Sequence, residues 1–528
     1  MAQLIHDFID AAARRAPLAQ ALRYQGAGLN YAALAQMVSV AAGALLNLGL
    51  QRGERVAIYL EKREEAVVAM FGAAAAGAVF VPVNPLLKPG QVGHILADCG
   101  VRILVTTRQR LDQLQPVLAC CPALCCVVLL GSTALLPLLP GVRLLPWHAW
   151  MNGVACRAAH RCIDSDLAAI LYTAGSGVKP KGVLLSHRNL VAGALSVASC
   201  LDNRATDRIL CLLPFSLGYG LSQLTTAFAS GACAVLMNHL LLRDVVDMVE
   251  REHVTGLAAV PSLWQPLSQL CWPDACLRYI TSSGGALPCQ TLQALRSALP
   301  ATRIHLMYGL TEALRSTCLR PDQLDSKPGS IGRALPNAEV LVLRADGSEC
   351  APGEAGELVH CGAQVAQGYW NDAAGTAERF RPLPPRQPGR PFGEIALWSG
   401  DTVRRDEDGD LYFIGRSDDM IKTSGYRVSP REVEDAACAS GLVAEAVALG
   451  LPHPLLGQAI VLLVAAAPGV ALDSKALMTA CRALLPAYMA PAWIDVRRAA
   501  LPRNPHGEID RKALAAELSG LFTQQACA

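Results

Sequence analysis

The strongest constraint on the fold is the alternation of short apolar runs with helical patterns over roughly the first 400 residues. Val/Ile/Leu runs without polar alternation are typical of strands buried on both faces, as in parallel sheets covered by helices. The sequence therefore predicts an α/β fold that binds ligands at the carboxyl ends of its strands. The clearest predicted elements are strands at Val56–Leu60, Val79–Val83, Val101–Thr106, Ala232–Met237 and Gly256–Val260, and a helix at Glu64–Ala76.

One apolar run, Ala66–Val83, has the length of a membrane span. Alanine and glycine dominate it, and Pro82 lies near its end. We interpret it as a buried helix followed by a strand, and a lone transmembrane span is disfavoured.

Charge and cysteine content exclude several classes of protein. The 528 residues include 46 basic and 44 acidic side chains, a net charge of +2, which argues against non-specific nucleic-acid binding. The amphipathic N-terminus carries acids and does not have the pattern of a signal peptide. The 19 cysteines form no CxxC pair, so structural zinc is disfavoured. We expect reduced thiols, used as small apolar residues in a cytoplasmic protein.

The pattern changes after about residue 415, where short strands surround a helix. A helix is predicted around Pro430–Ser440, with strands at Val443–Leu449 and Ile460–Ala466. We therefore predict two domains, 1–417 and 418–528, the second a small α+β unit.

The segment Leu171–Val183, LYTAGSGVKPKGV, directly follows the apolar run Leu167–Leu171. Its glycines allow backbone N–H groups to approach oxygens, its hydroxyls donate hydrogen bonds, and its lysines add positive charge. It is not a Walker loop, because Gly182 rather than Ser or Thr follows Lys181. On composition alone, a phosphate-binding loop and a flexible surface loop both remain open.

Four further segments carry chemistry-bearing residues: Ser283–Ala286 (SGGA), Met307–Ala313 (MYGLTEA), Ser399–Asp401 (SGD) and Gly415–Tyr426 (GRSDDMIKTSGY). Each is a weak signal alone. Thr311 could simply cap a helix. Asp401 follows a predicted strand, Glu394–Trp398, and has a carboxylate suited to paired ribose hydroxyls.

Together and in this order, these five segments resemble the acyl-adenylate-forming superfamily, which includes acyl-CoA synthetases, luciferases and peptide-synthetase adenylation domains. The resemblance covers nearly the whole chain. The N-terminal third, particularly the stretch from Tyr59 to Cys99, looks most like AMP-forming acyl-CoA ligases found with exosortase A systems.

The resemblance implies a large N-terminal domain of stacked, mostly parallel αβα sheets with a small barrel-like subdomain, followed by a mobile C-terminal α+β domain. It implies that a carboxylic acid reacts with ATP, with Mg²⁺ present, to give an acyl-adenylate and pyrophosphate. A thiol then attacks the acyl-adenylate. That thiol belongs to CoA or to an acyl carrier protein.

The resemblance also implies roles for individual residues. Tyr308 stacks on adenine, with Gly309 beside the nucleotide, Thr311 touches the α-phosphate, and Glu312 ligates Mg²⁺. Asp401 takes both ribose hydroxyls, assisted by Arg416. The other implied positions are Thr173, Ser176 and Lys181 at the β- and γ-phosphates, Gly284, Gly285 and Ala286 beside adenine and the acyl pocket, Asp418 at the hinge, and Lys422 and Gly425 on the loop that faces the site during thioester formation.

The acyl pocket is expected at Leu213–Leu221, LPFSLGYGL, with Leu217 and Gly218 in its lining and Tyr219 as a possible wall. This segment contains no acid that could pair with a substrate amine. An uncharged acyl chain or ring therefore suits the pocket better than an amino acid. Ordinary helix packing is an equally good interpretation for any one of these residues.

Two positions depart from the family pattern. Gly177 and Val178 replace a hydroxyl and a glycine in the phosphate loop, which predicts a weaker grip on phosphate. Glu508 occupies the position of the family's catalytic lysine, which bridges the acyl carboxylate and the α-phosphate. Three interpretations remain open: loss of adenylation with thioester formation retained, rescue by a nearby cation such as Arg503, Arg511 or Lys512, and a loop position in which Glu508 is only a surface residue. A fully degenerate, nucleotide-binding member is the alternative from another class.

The Glu508 position gives a direct prediction. Because a glutamate beside two anions is repelled where a lysine is attracted, Glu508→Lys should raise acid-dependent ATP–pyrophosphate exchange at least about tenfold. The measurement is exchange of labelled pyrophosphate over a panel of acids, with both proteins assayed in parallel. Equal exchange in the two proteins would contradict the prediction.

Overall fold

The computed structural model describes residues 3–131, 140–152, 160–173, 180–272, 276–383, 393–416, 420–466, 472–497, 501–502 and 509–522. The helices and strands form three sheets with helices packed against them. The first part of the chain contains α1 (Asp7–Arg15), β1 (Gln20–Tyr24), β2 (Ala27–Asn30), α2 (Tyr31–Asn47), β3 (Arg55–Tyr59), α3 (Glu64–Ala75), β4 (Val79–Pro82), α4 (Pro89–Asp98), β5 (Val101–Thr107), α5 (Arg108–Leu118), β6 (Cys126–Leu130), β7 (Arg143–Pro146), α6 (Trp147–Asn152), β8 (Leu167–Thr173) and β9 (Lys181–Ser186).

The middle of the chain continues the alternation and then becomes rich in strands. Its elements are α7 (His187–Cys200), β10 (Arg208–Cys211), α8 (Gly218–Ser230), β11 (Cys233–Leu236), α9 (Arg243–Arg251), β12 (Gly256–Ala259), α10 (Pro261–Leu267), β13 (Tyr279–Ser282), α11 (Cys289–Ala298), β14 (Arg303–Tyr308), β15 (Thr317–Leu319), a 3₁₀ turn (Pro321–Gln323), β16 (Ser330–Ala334), β17 (Ala338–Leu343), β18 (Ala355–Gly362), α12 (Ala373–Arg379), β19 (Phe380–Pro382), β20 (Ile395–Arg405) and β21 (Leu411–Arg416).

The last part forms the smaller C-terminal unit. It contains β22 (Ile421–Thr423), β23 (Tyr426–Val428), α13 (Pro430–Cys438), β24 (Val443–His453), β25 (Gly457–Ala466), α14 (Ser474–Leu484), a 3₁₀ turn (Ala487–Met489), β26 (Trp493–Arg497) and α15 (Arg511–Glu517).

The seven-stranded sheet has the order β7-β6-β5-β3-β4-β8-β9 and is parallel except for β9. Helix α3 is buried along nine of its residues, which explains the absence of polar alternation in its sequence. The run Ala66–Val83 is thus a buried helix and a strand, as predicted. Among the described residues, no helix is long and apolar enough to cross a membrane.

The fourteen-stranded sheet combines two kinds of pairing. Strands β10 to β14 pair in parallel, as the apolar runs predict, and the sheet then continues through antiparallel strands to β17. Strand β14 lies at the change from parallel to antiparallel pairing, because β15 turns back and pairs with it. The carboxyl end of β14 therefore lies where the sheet changes from parallel to antiparallel pairing, which is a favourable place for a ligand.

The C-terminal unit is a mostly antiparallel sheet of order β23-β22-β25-β24, with β26 beside β25. Helices α13 and α14 cover one face, and α15 packs near the other beside β24. The molecule therefore has a large N-terminal sheet domain and a small C-terminal domain, as predicted. The boundary at residues 417 and 418, including the predicted hinge Asp418, lies outside the described residues.

One predicted strand was wrong in length. The sequence predicts that a strand ends at Trp398, before Asp401, but β20 continues to Arg405. It continues because β18 and β21 pair with it on both sides through shifts in register. Asp401 consequently lies inside a sheet, fully buried, rather than on a loop.

Two buried histidines predict an acid-sensitive fold. Burial lowers the pKa of His187 from 6.5 to about 4. The ring of His187 accepts a hydrogen bond from the Ile5 N–H at 3.1 Å. Burial also lowers the pKa of His360 to about 4. Since the unfolded chain binds these protons first, the stabilisation is complete above pH 6.5 and is lost as the pH falls towards 4.

Chemical denaturation at a series of pH values checks this. We expect His187→Gln to remove up to about 3 kcal/mol of the fall in unfolding free energy over that interval. The exposed His148→Gln serves as the control and should leave the pH profile unchanged. Parallel pH profiles for wild type and His187→Gln would contradict the prediction.

Candidate active site

The first cluster of polar groups lies at the carboxyl end of β14. The Tyr308 hydroxyl donates a hydrogen bond to Oδ2 of Asp401, which is fully buried on β20. Arg416 pairs with Asp401 in the register of β20 and β21, and its side chain lies outside the described residues. Two segments 93 residues apart in sequence are thus joined, and the roles of Tyr308 at adenine and Asp401 at ribose stay predictions.

The turn after Tyr308 carries Gly309, Thr311 and Glu312. Residues 311–313 form a turn and no helix begins there, so the interpretation of Thr311 as a helix cap is wrong. Thr311 is partly exposed at this turn, whereas Glu312 is buried. A partly exposed hydroxyl and a buried carboxylate thus follow Tyr308 within four residues of the chain.

Glu312 is a buried carboxylate held between hydrogen-bond donors and cations. Its Oε1 accepts a hydrogen bond from the Tyr369 hydroxyl at 2.9 Å, and Nη1 of Arg427 lies 3.4 Å from the same oxygen. Burial opposes ionisation, but the nearby guanidinium groups of Arg427 and Arg379 outweigh it, so the pKa of Glu312 lies below its usual range. Its Oε2 is buried and has no hydrogen-bond partner among the described residues.

The predicted phosphate loop begins in β8 and ends in β9, which pair with each other as antiparallel strands. Thr173 and Lys181 face each other in the register of the two strands, at the two ends of the loop. Residues 174–179, which include Ser176, Gly177 and Val178, lie outside the described residues. The Lys181 ammonium forms an ion pair with Asp372 at 2.7 Å and lies 5.1 Å from the centre of the Tyr369 ring.

The segment 367–370 connects the phosphate loop to Glu312. It runs antiparallel beside β9, because the Trp370 N–H donates to Gly182 O at 2.7 Å and the Leu184 N–H donates to Gly368 O at 2.9 Å. This pairing places the Tyr369 ring below Lys181 and its hydroxyl on Glu312. Sequence reasoning missed Tyr369 and Asp372, although the aromatic and acidic run YWND was a usable signal.

The β22–β23 hairpin of the C-terminal unit faces this cluster. The Lys422 ammonium lies 3.9 Å from Oδ2 of Asp401 and 5.0 Å from the centre of the Phe413 ring. Arg427, on β23, reaches Glu312 from the same hairpin. The hairpin thus adds two cations to a site otherwise formed by the N-terminal sheets, and sequence reasoning had identified only Lys422.

Gly425, at the turn of this hairpin, is seated against Val260 and Gly284. Its φ is +81°, and a Cβ there would lie 2.4 Å from Cγ1 of Val260. A Cβ on Gly284 would lie 3.6 Å from the Gly425 Cα. Only glycine permits this approach, because any side chain would push the hairpin away from the N-terminal domain.

The predicted acyl segment lies at the start of α8. Leu217 precedes the helix, Gly218 is its first residue, and the Tyr219 hydroxyl shares a hydrogen bond with Thr281 Oγ1 at 2.7 Å. The guanidinium of Arg315, which sequence reasoning missed, lies 3.6 Å from the centre of the Tyr219 ring. Gly285 and Ala286 are exposed on the neighbouring loop after β13.

The structure therefore brings Thr173, Lys181, Glu312, Tyr308, Asp401, Lys422 and Gly425 to one region. Ser176, Asp418 and Glu508 cannot be placed, because they lie outside the described residues.

The chain belongs to the AMP-binding enzyme family. The sequence model of this family matches residues 9–370, and that of the AMP-binding enzyme C-terminal domain matches residues 432–508. Among curated relatives, L-proline–[L-prolyl-carrier protein] ligase from Streptomyces coelicolor is 31% identical over 92% of this chain and 91% of the relative. Long-chain-fatty-acid–CoA ligase from Salmonella typhimurium is 29% identical over 91% of this chain and 88% of the relative.

Other relatives are far longer than this chain. One component of the linear gramicidin synthase of Brevibacillus parabrevis is 29% identical over 97% of the chain, which spans only 10% of that protein. Among solved structures, a double mutant of o-succinylbenzoate CoA synthetase from Bacillus subtilis, bound with a product analogue, is 25% identical with a TM-score of 0.80 and covers 96% of this chain and 98% of its own. The finer resemblance to exosortase-associated ligases stays a prediction.

The contact between Arg427 and Glu312 can be tested by a double-mutant cycle. Arg427→Met should lower the unfolding free energy by about 1–3 kcal/mol, because it leaves a buried carboxylate with less compensation. Adding Glu312→Gln should restore part of that loss, since the carboxylate charge is then removed too. Urea denaturation of the four proteins measures the coupling. Strictly additive losses would contradict the ion pair.

Proposed function

We propose that this protein is an ATP-dependent acyl-CoA ligase. It joins a carboxylic acid to CoA through an acyl-adenylate and releases AMP and pyrophosphate. The observation that carries the proposal is the convergence of Tyr308, Asp401, Glu312 and Lys422 at the carboxyl end of β14. Homologues that are CoA ligases support this acceptor.

In the first half-reaction, the acid's carboxylate attacks the α-phosphorus of ATP and pyrophosphate leaves. The protein contributes position and fixed positive charge, which account for most of the acceleration in phosphoryl chemistry. Asp401 is suited to the two ribose hydroxyls, because its buried carboxylate is held by the hydroxyl of Tyr308, the residue expected to stack on adenine. Lys181, presented at the base of the phosphate loop, is suited to the leaving phosphates.

Glu312 is the residue that fits Mg²⁺. Its Oε2 is buried and has no partner among the described residues, and its pKa is low, so a charged oxygen ligand is available. Carboxylate and phosphate oxygens are the ligands that Mg²⁺ prefers. When bound, the ion would offset the charge that builds up on the phosphoryl oxygens.

In the second half-reaction, a thiolate attacks the carbonyl of the acyl-adenylate and AMP leaves. The seating of Gly425 on Gly284 and Val260 brings the β22–β23 hairpin to the nucleotide side of the site. In this arrangement Arg427 supplies positive charge to Glu312, which would otherwise need a bound cation. Rotation of the C-terminal domain about Asp418 would alternate these two arrangements.

The acyl group is best taken as an uncharged chain, as in a fatty acid, or a ring. The start of α8 offers Leu217, Gly218 and Tyr219 and no carboxylate for a substrate amine. Acyl loading of a carrier protein is the second candidate, because the carrier-protein ligase from Streptomyces coelicolor aligns with nearly the whole chain. Both candidates share the adenylation step and differ only in the thiol.

Two assays on the same protein test the proposal. Pyrophosphate release over a panel of fatty and aromatic acids reports adenylation, and mass spectrometry after adding CoA or an acyl carrier protein reports the thioester. We expect acyl-CoA from CoA alone. Thioester on the carrier protein alone would support the second candidate. No pyrophosphate release from wild type or Glu508→Lys would contradict both.

Gly425→Ala separates the half-reactions. Because a Cβ cannot be accommodated against Val260, we expect thioester formation to fall by about tenfold or more while pyrophosphate exchange changes less. Gly441→Ala is the matched control, since Gly441 also has positive φ, +71°, in the same domain but faces open space. Equal effects of the two substitutions on both steps would contradict this role of the hairpin.

A further inference from the structure

Two cysteines and a histidine, of which one cysteine and the histidine are buried, lie close together at β14, the strand that carries Tyr308. Cys200 ends α7, Cys318 lies on β15, and His305 lies on β14. Their Sγ and ring nitrogen atoms are within 4.8 Å of one another, and Cys318 Sγ lies 3.7 Å from Nδ1 of His305. The two cysteines are 118 positions apart, so sequence spacing could not reveal the pair.

Arg315 places a buried positive charge near this cluster without a carboxylate partner among the described residues. It is only 4% exposed, and no carboxylate of the described residues lies within ion-pair distance of it. Its contacts are the Tyr219 ring, at 3.6 Å from the ring centre, and Met307 Sδ, at 3.5 Å from Nη1. Burial opposes its charged form, which interaction with Tyr219, Cys318 and Cys200 favours. A thiolate of the cysteine pair would balance this buried cation.

The two thiols differ in character. A hydrogen bond from Cys318, together with His305 and Arg315, lowers the pKa of Cys200 to about 5 in spite of its burial. The same pairing and burial raise the pKa of Cys318. For every other described cysteine whose pKa is shifted, the shift is upward.

Cys200 is also the accessible member of the pair. It is partly exposed at the end of its helix, whereas Cys318 is 6% exposed. A partly exposed thiolate next to a buried thiol is the arrangement of an oxidation-sensitive cysteine and its resolving partner.

We propose that Cys200 and Cys318 form a reversible disulfide, and that this bond weakens binding of the acyl substrate through Arg315 and Tyr219. The disulfide is independent of the proposed function, whereas its effect on acyl binding rests on it. The site is a modification site for peroxides.

The chemistry balances with hydrogen peroxide as the oxidant. The Cys200 thiolate attacks one peroxide oxygen, so the S–O bond forms, the O–O bond breaks, and the departing hydroxide takes a proton to become water. Cys318 then loses its proton and attacks the Cys200 sulfur. The S–S bond forms, the S–O bond breaks, and a second water leaves. The two sulfurs together lose two electrons, which the peroxide gains. Two equivalents of a low-molecular-weight thiol reverse the step.

Few contacts separate the two cysteines from the predicted acyl pocket. Disulfide formation removes the thiolate that balances Arg315 and leaves its guanidinium buried beside neutral groups. That guanidinium lies on the Tyr219 ring, and the Tyr219 hydroxyl is hydrogen-bonded to Thr281 on β13. Cys318 also pairs with Met307, directly before Tyr308. A change at the disulfide therefore reaches both the predicted acyl wall and the strand that carries the nucleotide site.

Peptide mapping of the full chain after hydrogen peroxide tests the bond itself. We expect one dominant cross-link, between the peptides containing Cys200 and Cys318, with the loss of two hydrogen atoms and full reversal by dithiothreitol. In Cys318→Ala, dimedone should instead label Cys200 as a sulfenic acid. Cys438→Ser, which changes an exposed cysteine of the C-terminal domain, is the control and should leave the cross-link intact. Cross-links that are scattered or that omit Cys200 would overturn the proposal.

The same cluster could instead hold a soft metal ion, so zinc is measured by mass spectrometry on protein purified without chelator. Stoichiometric zinc lost in Cys200→Ser would overturn the disulfide in favour of a metal site. For the functional part, we expect oxidation to raise KM for the acid by roughly tenfold, with a smaller change in kcat, and Cys200→Ser to be insensitive to peroxide. An unchanged KM with the cross-link fully formed would overturn the coupling but leave the disulfide in place. If no acid is turned over at all, the cross-link result still stands while the proposed function fails.

Discussion

The candidate site depends on one constraint: the buried Glu312 carboxylate needs a cation. Almost no water reaches it, so its charge must be balanced by groups fixed in place. Arg427 provides that balance from the C-terminal domain, and Tyr369 holds the same oxygen from the segment beside β9. A charge in the N-terminal domain is thereby satisfied by a residue of the other domain. The position of the small domain is tied to the electrostatics of the site, and not only to contact between surfaces.

The sheets were largely predictable from the sequence, and the reason is physical. Strands such as β3, β5 and β12 are buried on both faces, so their sequences are continuous apolar runs that stand out from the amphipathic helices. The end of β20 was not predictable, because pairing with β18 and β21 carries the strand through Gly400 and Asp401, where the local sequence indicates a turn. Tertiary pairing overrode local preference at a residue central to the site.

The residues of the candidate site were likewise only partly predictable from the sequence. Tyr308, Glu312, Asp401 and Lys422 stand in recognisable short segments, and the structure brings them together. Arg427 and Tyr369 contact Glu312, and Asp372 contacts Lys181, all across long sequence separations, through a hairpin and through a segment paired beside β9. No local pattern encodes such contacts, because they depend on which strands become neighbours. The proximity of Cys200 and Cys318 likewise follows from the fold and cannot be seen in their spacing along the sequence.

The distribution of buried charge links these features. Arg427 contacts Oε1 of a carboxylate whose other oxygen is the one proposed to hold Mg²⁺, so the guanidinium and the metal would share one partner. Arg315, three residues further along the chain, has no carboxylate partner among the described residues, and our proposal assigns a thiolate to balance it. A carboxylate retains its charge under oxidising conditions, whereas a thiolate loses it in a disulfide. If both proposals hold, the Glu312 pair responds to domain movement and the Arg315 cluster responds to redox state, although the two residues lie at the two ends of the same turn between β14 and β15.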